Sequence, residues 1–276
     1  MQDTSNYLSG KLLKDKAKEI LNGNYTQAAL VVFLIGLLSL AAQFLVEFSA
    51  GFLFALILIV KEMSSSSLTS DQMLILLQNT EYIKQYMDFY AVLEYIFVTV
   101  SAVFTAVFNV GFSLFCLNLC CHREAHITDI FYGFRRQFGK SLAISVVFVL
   151  VSQLYALPAN LLNFFLNQKA DLKMALLCLA ILVIGVCIYI PLSLSISQAY
   201  LLLLDVPERS VSELIKLSVQ IMQGHKMRLF LVQLSFLPLM LLSFCTIGIA
   251  NLWLTPFLNV TCALFFLNLM QTRAAA

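Results

Sequence analysis

The chain has 276 residues, 61% of them hydrophobic and 12% charged, with a formal net charge of +2. Soluble domains carry roughly 45–50% apolar and about 25% charged residues, and a domain of this size still exposes much of its surface. The composition therefore excludes a water-soluble globule, makes lipid the solvent for most of the chain, and gives no basis for a nucleic-acid partner.

Residues 1–27 are polar and basic and lack the short apolar core and small-residue cleavage site of a signal peptide, so the first apolar run is expected to act as an uncleaved anchor. Within this segment "SGKLLKDKAKEILNGNY", residues 9–25, predicts a short amphipathic helix. Ser9 would cap it, Leu13, Ala17, Ile20 and Leu21 would share its apolar face, and Gly23 would close it. The first apolar run, Ala28–Val60, is interrupted by Gln43 and Glu47. Its 33 residues would extend roughly 50 Å as helix, more than the ~30 Å hydrocarbon layer, so this run must tilt or project. Glu47 would then lie about 28 Å along the helix, near the outer interface, where the cost of a charge largely disappears; a proton or cation pathway is the other reading. Segment 61–94 begins with the flexible link "SSSSLTSDQ" and continues as an interfacial helix or as an extension of the second span.

The second run is Tyr95–Cys121, overlapping the stretch "CLNLCCHREAH". Cys116, Cys120, Cys121, His122 and His126 are zinc-type ligands, but their spacing matches no common zinc module and reads as buried thiols at a span end. "ITDIFYGFRRQFGKS", residues 127–141, predicts a second amphipathic helix, with Thr128 as cap, Ile127, Ile130, Phe131, Phe134 and Phe138 on one face, and Gly139 as the closing residue. The third and fourth runs are Ser141–Leu166 and Met174–Leu204. A third amphipathic segment comes next, in which Ser210 and Glu213 form a capping box, Val211, Leu214, Ile215 and Met222 share a face, and Gly224 closes the helix. The fifth and sixth runs are Leu229–Ile247 and Leu252–Met270. None of the six alternates as barrel strands do, so all read as helices.

Lys and Arg gather on one side of this arrangement, thirteen against four, which predicts a cell-membrane protein with both termini cytoplasmic. The expected architecture is all-α and polytopic, with six transmembrane helices in three units (approximately 9–121, 122–204 and 205–271), each an interfacial helix followed by a hairpin. The interfacial helices would lie with their apolar sides in the headgroup layer, and Lys140, Lys226 and Arg228 would reach lipid phosphates, making anionic headgroups the expected partner. The seven cysteines fall outside any predicted outer loop, so no extracellular disulfide framework is expected.

The stretch "AYLLLLDVPERSVSELIKLSVQIMQGHKMRLFLVQLSF", with "IANLWLTPFLNVTCALFF" after it, resembles the bacterial integral membrane family known as domain of unknown function 975. The resemblance rests on Tyr200, Pro207, Ser218, Met222, Gly224, Lys226, the run Phe230–Phe236, Pro256 and Thr261, and on "KAKEILNGNY" near the start. Pro238 and Phe257 depart from the family pattern. The resemblance implies a multispan bacterial membrane protein and supplies no activity.

No catalytic, cofactor or metal motif is present, and an enzyme is not expected. His225, beside Lys226, has no acid or nucleophile nearby in sequence and reads as an interfacial residue. Pro158, Pro191, Pro238 and Pro256 place one proline in each of the last four runs, with Gln153, Asn160, Gln198, Gln233 and Asn259 as polar neighbours for the freed carbonyls. Two functions fit. One is a membrane scaffold, assembly or lipid-organising protein. The other is a small transporter or permease component using Glu47, Gln153, Asn160, Gln198 and Gln233, which would require a polar cavity among the spans.

Overall fold

The computed structural model describes residues 7–65, 80–167 and 172–274, and these are helical with no strand among them. Residues 66–79, which hold most of the Ser-rich link, lie outside the described residues, as does Lys169. The elements are α1 (Gly10–Leu21), α2 (Tyr25–Ser65), α3 (Thr80–Cys120), a 3-10 turn (Ile127–Phe131), α4 (Tyr132–Arg135), α5 (Phe138–Asn167), α6 (Leu172–Ile196), α7 (Ala199–Asp205), α8 (Val211–Met222), α9 (Lys226–Leu234), α10 (Leu237–Cys245) and α11 (Asn251–Ala274).

Among the described residues six helical stretches are long and apolar enough to cross a membrane: Tyr25–Ile57, Phe89–Cys120, Phe138–Leu162, Leu176–Asp205, Lys226–Cys245 and Asn251–Arg273. They coincide with the six apolar runs of the sequence. Two of them are interrupted. The fourth stops at Ile196 and restarts at Ala199, and the fifth consists of two nine-residue helices separated at Ser235–Phe236. Pro238 therefore does not bend a continuous helix. It occupies the first turn of α10, where a missing N–H costs nothing. Pro158, Pro191 and Pro256 do lie inside helices.

The chain separates into two compact units, one formed by residues up to Ile35 and from Ala106 onward, the other by Gly36–Thr105. In the smaller unit residues 80–94 are helical and continuous with the second run, so this part of the outer segment extends the span. Phe54 and Tyr90 meet there with ring centroids 4.9 Å apart, while Phe44, Phe48 and Phe52 are exposed.

In the larger unit one apolar core draws on nearly every helix: Leu13 of α1, Val110 of α3, Ile144 of α5, Leu202 of α7, Leu214 and Met222 of α8, Leu229 of α9 and Phe265 of α11. α5 and α6 pack along each other as a hairpin, and α1 runs along α11. The apolar faces of the amphipathic helices are spent in this core. Leu13, Ala17 and Leu21 of α1, and Leu214, Ser218, Ile221 and Met222 of α8, are all buried against protein. Val211 and Ile215 sit at the edge of the α8 face, not at its centre.

The second amphipathic segment differs most from expectation. It forms a 3-10 turn and a single α-turn instead of one helix. Its first residue is capped from His126, whose N–H donates to the Asp129 carboxylate at 3.1 Å, so Thr128 is not the cap. Gly139 does not close it either; it is the second residue of α5. Ile130 is buried, whereas Ile127 and Phe138 are exposed. The turn lies so close to α3 that Gly111 has no room for a Cβ beside the backbone of Asp129 and Ile130.

Candidate functional site

The local signals of the first and third amphipathic segments organise the junctions around them. Ser9 Oγ accepts from the Leu12 N–H at 3.3 Å and begins α1. Ser210 Oγ accepts from Glu213 N–H at 3.4 Å while the Glu213 carboxylate accepts from Ser210 N–H at 3.2 Å, a reciprocal capping box. Gly23 and Gly224 come after their helices at φ +88° and +80°, the left-handed conformation that glycine adopts without a Cβ penalty.

His225 and Lys226 continue directly from Gly224. The His225 ring meets that of Tyr7, with centroids 4.7 Å apart. Burial, then the charges of Arg228 and Arg273, hold its pKa below the usual value. Lys226 starts α9 and is partly exposed. Arg228 does not reach outward to headgroups as expected. Its Nη2 donates to the Leu8 carbonyl and to Asn268 Oδ1, the latter at 3.2 Å, and its guanidinium lies over the rings of Tyr7 and Phe265. Lys140 is likewise engaged with protein, donating to the Pro207 carbonyl at 2.5 Å. Both cations thus have a protein partner.

Each interrupted run is met by a polar side chain from an amphipathic helix. Ser218, buried on α8, donates to the Ser195 carbonyl at 2.8 Å, just before the break in the fourth run. Lys14, on α1, donates to the Ser235 carbonyl at 3.2 Å, within the break of the fifth run, and stands 4.6 Å from the Phe236 ring centre. Pro256, buried in α11, has no N–H for the helix ladder.

Between these breaks lies a cavity of about 300 Å³ whose wall mixes polar side chains with apolar and aromatic ones such as Phe148 and Leu258. Asn109 and Ser113 of α3 line it, together with Ser197 and Gln198 at the first break, Gln233 near the second, and Asn259 of α11. Gln198 is 1% exposed; its Nε2 donates to Ser197 Oγ at 2.9 Å, and its Oε1 has no hydrogen-bond partner among the described residues. A buried amide oxygen left unpaired costs about 1–3 kcal/mol, so this group is poised to accept a donor. Every polar side chain named here is uncharged, so the arrangement can orient a neutral hydrogen-bonding molecule but has no strong base or acid to exchange protons with it.

The residue pattern of the sequence joins Gln198 and Gln233 with Glu47, Gln153 and Asn160. Gln198 and Gln233 do meet in the cavity. Asn160 is exposed, Gln153 is half-buried on α5 and does not line the cavity, and Glu47 is exposed in the smaller unit, where Gln43 Nε2 donates to it at 3.2 Å. Asn109 and Ser113 escape a reading of the sequence, because an isolated Asn or Ser inside an apolar run carries no local signal of a cavity. Cys116 and Cys120 are buried and Cys121 exposed; all seven cysteines are free thiols, and no group of three metal ligands forms among the described residues.

No curated protein and no solved structure matches this chain. Its residues 8–273 match a family over nearly the whole length, and the chain belongs to that family, described as Protein of unknown function (DUF975).

Proposed function

We propose that this protein is a non-enzymatic, multi-pass protein of the bacterial cell membrane, with both termini cytoplasmic, that binds a small uncharged polar solute as a carrier or permease component. The observation that carries this reading is the cavity at the two interrupted runs, with the unpaired amide oxygen of Gln198 buried in its wall. Discontinuous helices whose ends face a polar site are a recurrent way to hold a solute within a membrane. The cavity volume, about 300 Å³, lies at the lower end of the ligand-pocket range of roughly 300–1,000 Å³, which suits a molecule of polyol or small-amide size.

The test is uptake of a panel of polyols and small amides into vesicles reconstituted with the full chain. At least one should enter faster than into empty vesicles, and Gln198→Leu should remove that difference while leaving helicity and melting temperature intact. Uptake indistinguishable from empty vesicles across the panel, or unaffected by Gln198→Leu, refutes the reading. A scaffold or lipid-organising protein is the second reading, in which the row Phe44, Phe48 and Phe52, exposed on a stretch able to span the membrane, meets a partner protein instead of acyl chains. A membrane protein that co-purifies with the native chain, and is lost when that row is replaced by Ala, would support it.

A further inference from the structure

A second site lies in the larger unit between α1 and α9. A groove of about 370 Å³ is lined by Gly10, Lys11, Lys14, Arg228, Leu231 and Ser235, with Val232 beneath. Lys11, Lys14 and Arg228 all contribute to its largely apolar wall, and no carboxylate lines it. Among the described residues none of the three makes an ion pair. Their donors are only partly used. Lys14 spends one N–H on the Ser235 carbonyl and keeps two. Arg228 commits Nη2 to Leu8 and Asn268, while Nη1 is buried without a partner among the described residues. Lys11 is exposed. Burial, then the neighbouring charge of Lys18, lowers the Lys14 pKa, against a smaller opposing effect of Asp15.

Leu231 lines the groove, and Met227 and Leu234 continue from it outside the groove along the same exposed face of α9 at helical spacing. Gly10 fits the close approach of the two helices, since even a Cβ there would stand 3.1 Å from Val232. Positive charge beside an exposed aliphatic stripe matches a molecule with a phosphate at one end and hydrocarbon at the other. A free phosphate would gain nothing from Met227, Leu231 and Leu234.

We propose that the groove between α1 and α9 binds the phosphodiester headgroup of an anionic phospholipid through Lys11, Lys14 and Arg228, with an acyl chain along Met227, Leu231 and Leu234. This site stands independently of the solute cavity.

The test uses the full chain in detergent with an equal mixture of phosphatidylglycerol and phosphatidylcholine, bound lipid being counted by native mass spectrometry. Phosphatidylglycerol should be retained preferentially, and excess inorganic phosphate should not displace it. Each basic residue near anionic lipid contributes about fivefold to binding, so Lys11→Gln should lower the preference about fivefold and Lys11→Gln with Lys14→Gln about 25-fold. Lys11→Gln alone keeps the test open if the double variant fails to fold, because Lys11 is exposed. Lys16→Gln, on another face of α1, should leave the preference unchanged. Equal retention of the two lipids, displacement by inorganic phosphate, an undiminished preference in Lys11→Gln, or an equal loss in Lys16→Gln would each overturn the proposal.

Discussion

Replacing Gly185 by alanine tests how closely the third and fourth runs are packed. Gly185 lies in α6 against α5, and a Cβ built there would stand 3.1 Å from the Leu154 carbonyl carbon and nearer still to its oxygen. Backbone cannot rotate away as a side chain can, so the two helices must part by a distance on the order of 1 Å. A gap of roughly 0.5–1 Å forfeits about a quarter to a half of each dispersion contact, and overpacking of this kind costs about 1–3 kcal/mol. Alanine in a helix offsets this by about 0.8–1 kcal/mol relative to glycine. The net expectation is a loss of about 1 kcal/mol, within a range of roughly 0–2 kcal/mol. Gly36→Ala is the matched control: its Cβ would meet nothing within 4 Å, so only the propensity gain remains. By thermal unfolding in detergent Gly185→Ala should melt about 2–4 °C below the parent, with Gly36→Ala unchanged or higher. Equal melting temperatures for the two variants would show that the hairpin is not packed at backbone contact.

Gly224→Val should destabilise the protein by about 1–2 kcal/mol, because a β-branched residue must take φ +80°, with Gly224→Asn milder; unchanged melting of the Val variant contradicts the helix-closing role. Glu47→Gln should leave insertion and melting intact, since Glu47 is exposed and Gln43 is its neutral hydrogen-bond partner; a severe loss of folded protein would place that carboxylate in a charge-dependent contact. His225 should make stability fall with acid. Its folded pKa lies below the unfolded value of 6.5, so the unfolded chain binds the proton first, and stability is complete above that value and declines as pH drops from it toward the folded pKa. His225→Asn should flatten the decline, read as melting temperature between neutral and mildly acidic buffer, and an identical slope in the variant refutes the assignment.

The sequence made local features legible because their causes are local. Ser9, Ser210 with Glu213, Gly23 and Gly224 act within one helical turn, and the six runs are each long enough to be read from hydropathy alone. The second amphipathic segment misled because Asp129, not Thr128, supplies the first-turn acceptor, and a carboxylate reaching back to the N–H of His126 starts the turn two residues earlier than a threonine cap would. The destination of an apolar stripe was not legible at all. Leu13, Ala17 and Leu21 have the same hydrophobicity whether they face acyl chains or α11, and only the fold shows that they face protein. The cavity was half-legible. Gln198 and Gln233 stand out as amides in greasy runs, but their meeting with Asn109 and Asn259 brings together four segments far apart in the chain.

The two breaks explain why the amphipathic helices are where they are. A helix interrupted among apolar neighbours leaves carbonyls without partners, and in hydrocarbon each such group costs several kcal/mol. In the fifth run Pro238, in the first turn of α10, has no N–H to offer the carbonyl of Leu234, and Ser235 lies in the same turn. The fourth run stops at Ile196 without glycine or proline at the break itself, so hydropathy reads straight through it. At each site the rescue comes from outside the run: Lys14 reaches the Ser235 carbonyl from α1, and Ser218 reaches the Ser195 carbonyl from α8. An apolar face alone would dock α1 and α8 anywhere on a greasy surface, whereas a donor aimed at one freed carbonyl fixes the register. The same breaks free the backbone beside Gln198 and Gln233 to turn, which is what opens a polar space in an otherwise apolar bundle. The amphipathic helices and the cavity are thus two consequences of one structural decision, the interruption of the fourth and fifth runs.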